Sequence, residues 1–122
     1  MLTIQADAED FAKVRSIVDQ YCEGLYAGDV EKLRSIFHDD VVLKAPGERR
    51  DMNTWLHDVA NRPVPKLIGH RYEFLILSLD IVNDQAMVKL LCPLLDSVFV
   101  DFLGLLKEDK GWLIVSKMYI AL

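Results

Sequence analysis

The stretch Tyr21-Cys22-Glu23-Gly24-Leu25-Tyr26-Ala27-Gly28-Asp29-Val30-Glu31-Lys32-Leu33-Arg34-Ser35-Ile36-Phe37-His38-Asp39-Asp40-Val41-Val42-Leu43 reads as the end of one helix, a Gly-Asp break, a short second helix and a turn into a strand. Gly28 suits the position just past a helix C-terminus, because glycine enters the left-handed region without a Cβ penalty. Asp29 suits the N-cap of the next helix, where its carboxylate accepts orphan amide hydrogens. That helix is expected over residues 30–36, burying Val30, Leu33 and the Ile36-Phe37 pair. His38-Asp39-Asp40 then turns the chain into the apolar strand Val41-Val42-Leu43.

Upstream, Phe11, Val14, Val18, Tyr21, Cys22 and Leu25 recur at three- and four-residue steps, which predicts an amphipathic helix over about residues 7–27. Downstream, Pro46-Gly47 marks a turn, and Asp51 caps a third helix over about residues 52–61 with Trp55, Leu56 and Val59 inward. Pro63 and Pro65 end it. From His70 the period changes to strand. Strands are expected over about residues 70–79, 85–95, 98–107 and 112–122, with turns at Asn83-Asp84, Asp96-Ser97 and Lys110-Gly111. Helices on one face of such an antiparallel sheet make an α+β domain.

The chain has 122 residues, 52% of them hydrophobic, which suits a single domain over residues 1–122 with a proper core and argues against disorder. A net charge of −5, with no basic stripe, disfavours nucleic acid or an anionic membrane surface as a partner. The N-terminal Met1-Leu2-Thr3-Ile4-Gln5-Ala6-Asp7 lacks the basic and apolar regions of a signal peptide. No apolar run reaches the ~20 residues that a spanning helix needs. Cys22 and Cys92 are far apart and form no C-x-x-C pair, so reduced thiols in a cytoplasmic protein are expected. There is no Gly-rich phosphate loop, no His-Glu-x-x-His and no Cys/His cluster, so the sequence calls for no cofactor and no metal.

In Leu113-Ile114-Val115-Ser116-Lys117-Met118-Tyr119-Ile120 both alternate sets are apolar. One face covers the helices. The other would be a greasy solvent face in a monomer, so a homodimer packed sheet on sheet is expected. With Val115 and Tyr119 read as outward, a charge at either is expected to split it, and Lys117 to tolerate change better.

The element order α-α-β-α-β-β-β-β resembles the nuclear transport factor 2-like superfamily, with its cone-shaped, cystatin-like fold. Tyr21, Gly24, Gly28, Asp29, Leu33, Phe37 and His38 are similar to the N-terminal motif of its putative lumazine-binding branch. Phe99, Asp101, Leu105, Lys107, Gly111, Trp112 and Lys117 are similar to that branch's C-terminal pattern. The resemblance implies three N-terminal helices packed on a curved, mainly antiparallel sheet, and a pocket inside the cone. The fold hosts many functions, so activity has to be argued from the site. The ketosteroid isomerase branch uses a tyrosine, a carboxylate base and a late carboxylic acid. Aligned on the Gly-Asp break, Tyr21 matches the tyrosine, but the base falls on Ala45 and the acid on Leu103, so that mechanism is not expected.

By the same alignment the pocket-facing positions are Phe99, Asp101 and Leu103 on one strand and Ser116 and Ile120 on the last. With Tyr21, Phe37 and Trp55 from the helical half, they make an apolar cavity suited to a small apolar or flat aromatic molecule. The lumazine-binding label itself points to a pterin- or lumazine-like ligand. His38, Asp101 and Tyr21 are the catalytic candidates. His38 has the right ordinary pKa for a general base, Asp101 is costly at an inward position unless paired, and Tyr21 can donate. Each also has a structural reading: a turn histidine, a tied-down carboxylate, a core tyrosine with a satisfied hydroxyl. The leading expectation is a small-molecule-binding homodimer, the alternatives being a lyase or isomerase of a small carbonyl compound or a protein-interaction module.

Overall fold

The computed structural model describes residues 7–122. Residues 1–6, which bear on the signal-peptide reading, lie outside the described residues. The elements run α1 (Ala8–Ala27), α2 (Val30–Ile36), β1 (Phe37–Ala45), β2 (Glu48–Asp51), α3 (Met52–Ala60), β3 (Leu75–Val82), β4 (Gln85–Leu94), β5 (Ser97–Glu108) and β6 (Gly111–Ala121). The strands form one sheet in the order β2-β1-β6-β5-β4-β3. All neighbours are antiparallel except β1 and β6, which are parallel. The three helices pack on its inner face to give the α+β cone.

Three aspartates start the three helices. Asp7, Asp29 and Asp51 accept from the backbone amides of Glu9, Lys32 and Thr54 at 2.8, 3.0 and 2.8 Å. Gly28 ends α1 at φ 63°, in the left-handed region. Gly24, one turn earlier, lets α2 lie close: a Cβ there would sit 2.7 Å from the Leu33 side chain. Val14, Val18, Tyr21 and Leu25 of α1, Leu33 and Ile36 of α2, and Trp55, Leu56 and Val59 of α3 are buried against Leu43, Val88, Leu90, Leu103, Leu105 and Ile114 of the sheet. Burying each such side chain contributes about 1.5–3 kcal/mol.

Three features depart from the sequence-based expectation. The strand expected from His70 begins only at Leu75. Tyr72 instead packs edge-on against Tyr26 and Phe74, with ring centroids 5.3 and 4.9 Å apart. The four-residue β2 was not expected, because Glu48-Arg49-Arg50-Asp51 has no apolar alternation and borders the sheet on its outer edge. In β6, Gly104 pairs with Ser116 but Leu105 pairs with Ile114, so Val115 is an extra residue. A bulge of one residue exchanges the two faces of a strand beyond it.

A polar tie closes the base of the sheet. Asp10 of α1 accepts from the indole Nε1 of Trp112 at 3.0 Å and from Lys107 Nζ at 3.1 Å. The Trp112 hydrogen bond, followed by the one from Lys107, holds the Asp10 carboxyl below its ordinary range. A depressed carboxylate stabilises the fold above its unfolded pKa of about 3.9, and that stabilisation is lost as pH falls through the lower folded value. Asp10→Asn is therefore expected to lower the urea midpoint at pH 7 but much less near pH 3. An equal deficit at both pH values would remove the ionic role.

Candidate functional site

The inner face carries little polarity, and what it has is gathered near one end. Cross-strand pairing sets Leu90, Asp101 and Tyr119 in one row, and Val88, Leu103 and Lys117 in the next. Asp101 and Lys117 are both buried in a hydrophobic surround, Asp101 2% exposed and Lys117 7%. A charge in such a place needs a partner. Tyr21, wholly buried on α1, donates its hydroxyl to Asp101 Oδ2 at 2.7 Å. Lys117 Nζ lies 4.0 Å from the same oxygen. The ammonium also sits 4.7 Å from the ring of Trp55, 5.2 Å from that of Tyr21 and 5.4 Å from that of Tyr119, within cation–π range.

These groups open on a cavity of about 60 Å³. Its walls are Leu25 of α1, Trp55 of α3, Cys92 and Leu94 of β4, Phe99 and Asp101 of β5, and Lys117 and Tyr119 of β6, with Arg50 of β2 and Arg62 just beyond α3. Arg50 is anchored: it donates to Asp58 Oδ2 and to the Tyr119 hydroxyl, each at 3.0 Å, and lies 3.3 Å from Glu48. Arg62 has no such anchor. Its Nη2, like Arg50 Nε, is buried without a hydrogen-bond acceptor.

The electrostatics follow from burial. Burial drives the Lys117 ammonium pKa down, Asp101 opposes the shift, and the charges of Arg62 and Arg50 add to it. Burial, then the neighbouring Asp101, pushes the Tyr21 phenol well above its ordinary value, so it stays a donor. Burial pushes the Cys22 thiol to about 12 and that of Cys92 higher still, so neither is a thiolate near neutrality. Among the described residues no group of three His, Cys, Asp or Glu side chains converges as a metal site.

The structure brings Tyr21, Trp55, Phe99 and Asp101 together, as the sequence suggested. Phe37 supports the site from behind, its ring 5.1 Å from Trp55 and 5.9 Å from Tyr21. Leu103 is fully buried in the core below the cavity rather than in its wall. His38 stands elsewhere. It lies in a surface depression with Lys110 and Leu113, its Nδ1 2.6 Å from Asp40 Oδ1, away from the Asp101 cavity. Ser116 and Ile120 are corrected by the bulge at Val115. Both lie on the outer face, and Lys117 and Tyr119 take the inner positions. The cavity is therefore charged rather than apolar. Lys117 had a readable signal, a lone ammonium in an apolar strand, whereas Arg50 and Arg62 had none.

The comparisons agree with the fold. The model of a family described as "Putative lumazine-binding" matches residues 9–120, and the chain belongs to that family. Among solved structures, it is similar to a nuclear transport factor 2-like protein of unknown function from Silicibacter pomeroyi, at 23% identity and TM-score 0.76, covering 97% of this chain and 100% of the other. A nuclear transport factor 2-like protein of unknown function from Shewanella baltica gives 19% identity and TM-score 0.82, covering 97% and 98%. A ketosteroid isomerase-like protein from Erwinia carotovora atroseptica gives 14% and 0.74, covering 95% and 98%. Nothing among curated proteins matches the chain.

Proposed function

We propose, from this family membership and the geometry of the cavity, that the domain binds a small molecule inside the cone and works as a homodimer joined through the outer face of its sheet. The observation that carries the reading is the cavity, where an otherwise apolar inner face gathers Asp101, Lys117, Arg50 and Arg62 beside the rings of Trp55, Phe99 and Tyr119. A few convergent polar groups in an apolar surround are the usual makeup of a small-molecule site. The family's description suggests a lumazine-like ligand. A space of about 60 Å³ is too small for a whole bicyclic ring system, so a flat aromatic ligand would seat its polar edge there and need Leu94 and Phe99 to move outward. The reading as a lyase or isomerase keeps Asp101 and Tyr21 but loses His38, which lies outside the cavity. Binding is therefore favoured over catalysis.

Support for the dimer lies on the outer face, where Met87, Val98, Met118 and Ile120 are exposed around Phe102 and Val100. Such a patch is unfavourable in water. Tyr119 points inward, so the informative substitution moves to Met118. The net charge of −5 supports neither nucleic acid nor an anionic membrane surface as partner, and a cytoplasmic setting is proposed from the two free cysteines. No helix of the described residues is long and apolar enough to cross a membrane.

Native mass spectrometry of the freshly purified protein tests both parts. A dimer with a retained small molecule is expected, and Met118→Glu should give monomer. A monomeric wild-type protein at micromolar concentration would remove the dimer. Failure of any small molecule to bind, retained or added, would remove the binding role.

A further inference from the structure

We infer that the cavity is an anion site, built to take the carboxylate of a small organic acid between Arg62 and Lys117. The inference deepens the small-molecule reading above and rests on it.

The charged groups at the cavity are unevenly paired. Arg50 is met by Asp58 at 3.0 Å and Glu48 at 3.3 Å, and it spends a further hydrogen bond on Tyr119. Arg62 and Lys117 line the cavity with one carboxylate, Asp101, which stands 4.0 Å from Lys117, while the carboxylate acting on Arg62 is Asp58. Counted with Glu48 and Asp58 the three cations meet three carboxylates, so what stays open inside the cavity is hydrogen bonding by charged donors rather than net charge. A buried charged donor without an acceptor is unfavourable, so a site of this kind gains when a strong acceptor enters.

The hydrogen bonds point the same way. Asp101 Oδ2 is already taken by the Tyr21 hydroxyl at 2.7 Å, and Lys117 Nζ stands 4.0 Å away, beyond hydrogen-bond reach. The ammonium is held by aromatic faces instead, which attract it but accept no hydrogen bond in the ordinary sense. Arg62 Nη2 is buried and also lacks an acceptor. Two charged donors therefore line one cavity with unused protons. An acceptor-only group with two oxygens uses both in charge-assisted hydrogen bonds, as a carboxylate does, whereas a neutral alcohol or amide offers a single, weaker acceptor oxygen. The repulsion that Arg62 and Arg50 exert on Lys117 is the cost that such an anion would relieve.

Size selects within the class. At roughly 10–15 Å³ for each water-sized group, the cavity of about 60 Å³ holds about four to six non-hydrogen atoms. That fits a carboxylate and one or two carbons. A larger acid would place the remainder past Leu94 and Phe99.

Acetate and its neutral isostere acetamide are the probes. The full chain, labelled with ¹⁵N, is titrated with each at fixed ionic strength in low-chloride buffer while the Trp55 indole and the amides around Asp101 and Lys117 are followed. Acetate is expected to shift these signals saturably and acetamide not at all. Arg62→Gln should weaken acetate by about tenfold or more, as expected for losing one charged hydrogen bond, and Arg62→Lys should restore part of it. Equal responses to acetate and acetamide would overturn the inference. So would an acetate response that Arg62→Gln leaves unchanged, since the anion would then bind elsewhere. The wild-type comparison stands even if the Arg62 variants do not fold. Saturable binding of acetamide or a neutral aromatic without acetate would sink the anion site yet keep the small-molecule reading. No cavity response to any of them would sink both.

Discussion

Asp101→Leu is expected to be the most damaging single change on the inner face, lowering unfolding free energy by about 3–5 kcal/mol at pH 7, the range for removing one partner of a buried ion pair. Two groups lose their partner at once. Lys117, 7% exposed, loses the one carboxylate that lines its cavity among the described residues, and the buried Tyr21 hydroxyl loses its acceptor at 2.7 Å. The loss has a ceiling. Once keeping the charge becomes too costly, Lys117 sheds its proton, and doing so at pH 7 against an unfolded pKa of about 10.4 costs about 4.6 kcal/mol. That ceiling gives a signature. With a neutral Lys117 in the folded state, the unfolded chain binds one more proton, so stability of the variant should climb by about 1.4 kcal/mol per pH unit between pH 7 and 9. The double variant Asp101→Leu with Lys117→Met should recover most of the loss and show no such slope, because a well-packed apolar pair often replaces a buried ion pair without penalty. Urea titrations of the three proteins across that pH range decide it. If single and double variants are equally unstable, Lys117 is not held by Asp101.

The ion pair also shows where reading the sequence works and where it stops. Helix ends were legible because they are local. Asp7, Asp29 and Asp51 each bond an amide two or three residues on, and Gly28 sits where the chain turns left-handed. The inner set on β5 was legible because Phe99, Asp101 and Leu103 alternate without interruption and pair regularly with Ala121, Tyr119 and Lys117. On β6 the phase was lost at Val115. Both faces of that strand are apolar, so nothing in the alternation marks an extra residue, and the bulge moves Ser116 and Ile120 outward and Lys117 and Tyr119 inward. Arg62 was invisible for a different reason. It becomes part of the site only when the end of α3 is laid over β4 to β6, a juxtaposition set by chain topology rather than by neighbours in sequence. His38 misled because imidazole is the commonest general base, whereas its place at the start of β1 gives it Asp40 as a partner and solvent as surroundings.

Gly28→Val is expected to cost about 2 kcal/mol or more, through two terms that can be separated. The first is backbone strain. At φ 63° a Cβ crowds the following carbonyl, at roughly 1–2 kcal/mol, and a β-branched side chain is among the worst placed there. The second is packing. A Cβ on Gly28 would lie 3.0 Å from Val64 Cγ2, tighter than ordinary contact, so the loop after α3 has to yield. For a chain of this length about 2 kcal/mol corresponds to a fall of roughly 8 °C in Tm. Gly28→Asn tests the first term, since asparagine tolerates the left-handed region, and it should retain only the packing cost. Combining Gly28→Asn with Val64→Ala relieves that too, and should bring Tm back toward the value of Val64→Ala alone. The turn matters to the site as well as to the fold. Gly28 closes α1 through its amide to Gly24 O, the next amide, Asp29, reaches the same carbonyl at 2.9 Å, and Lys66 beyond α3 donates its amide to Tyr26 O at 3.0 Å. A residue that pushes Val64 away therefore loosens the segment carrying Arg62. Gly28→Val should weaken whatever the cavity holds as well as lowering Tm, whereas an unchanged Tm would mean that the chain does not turn left-handed at Gly28.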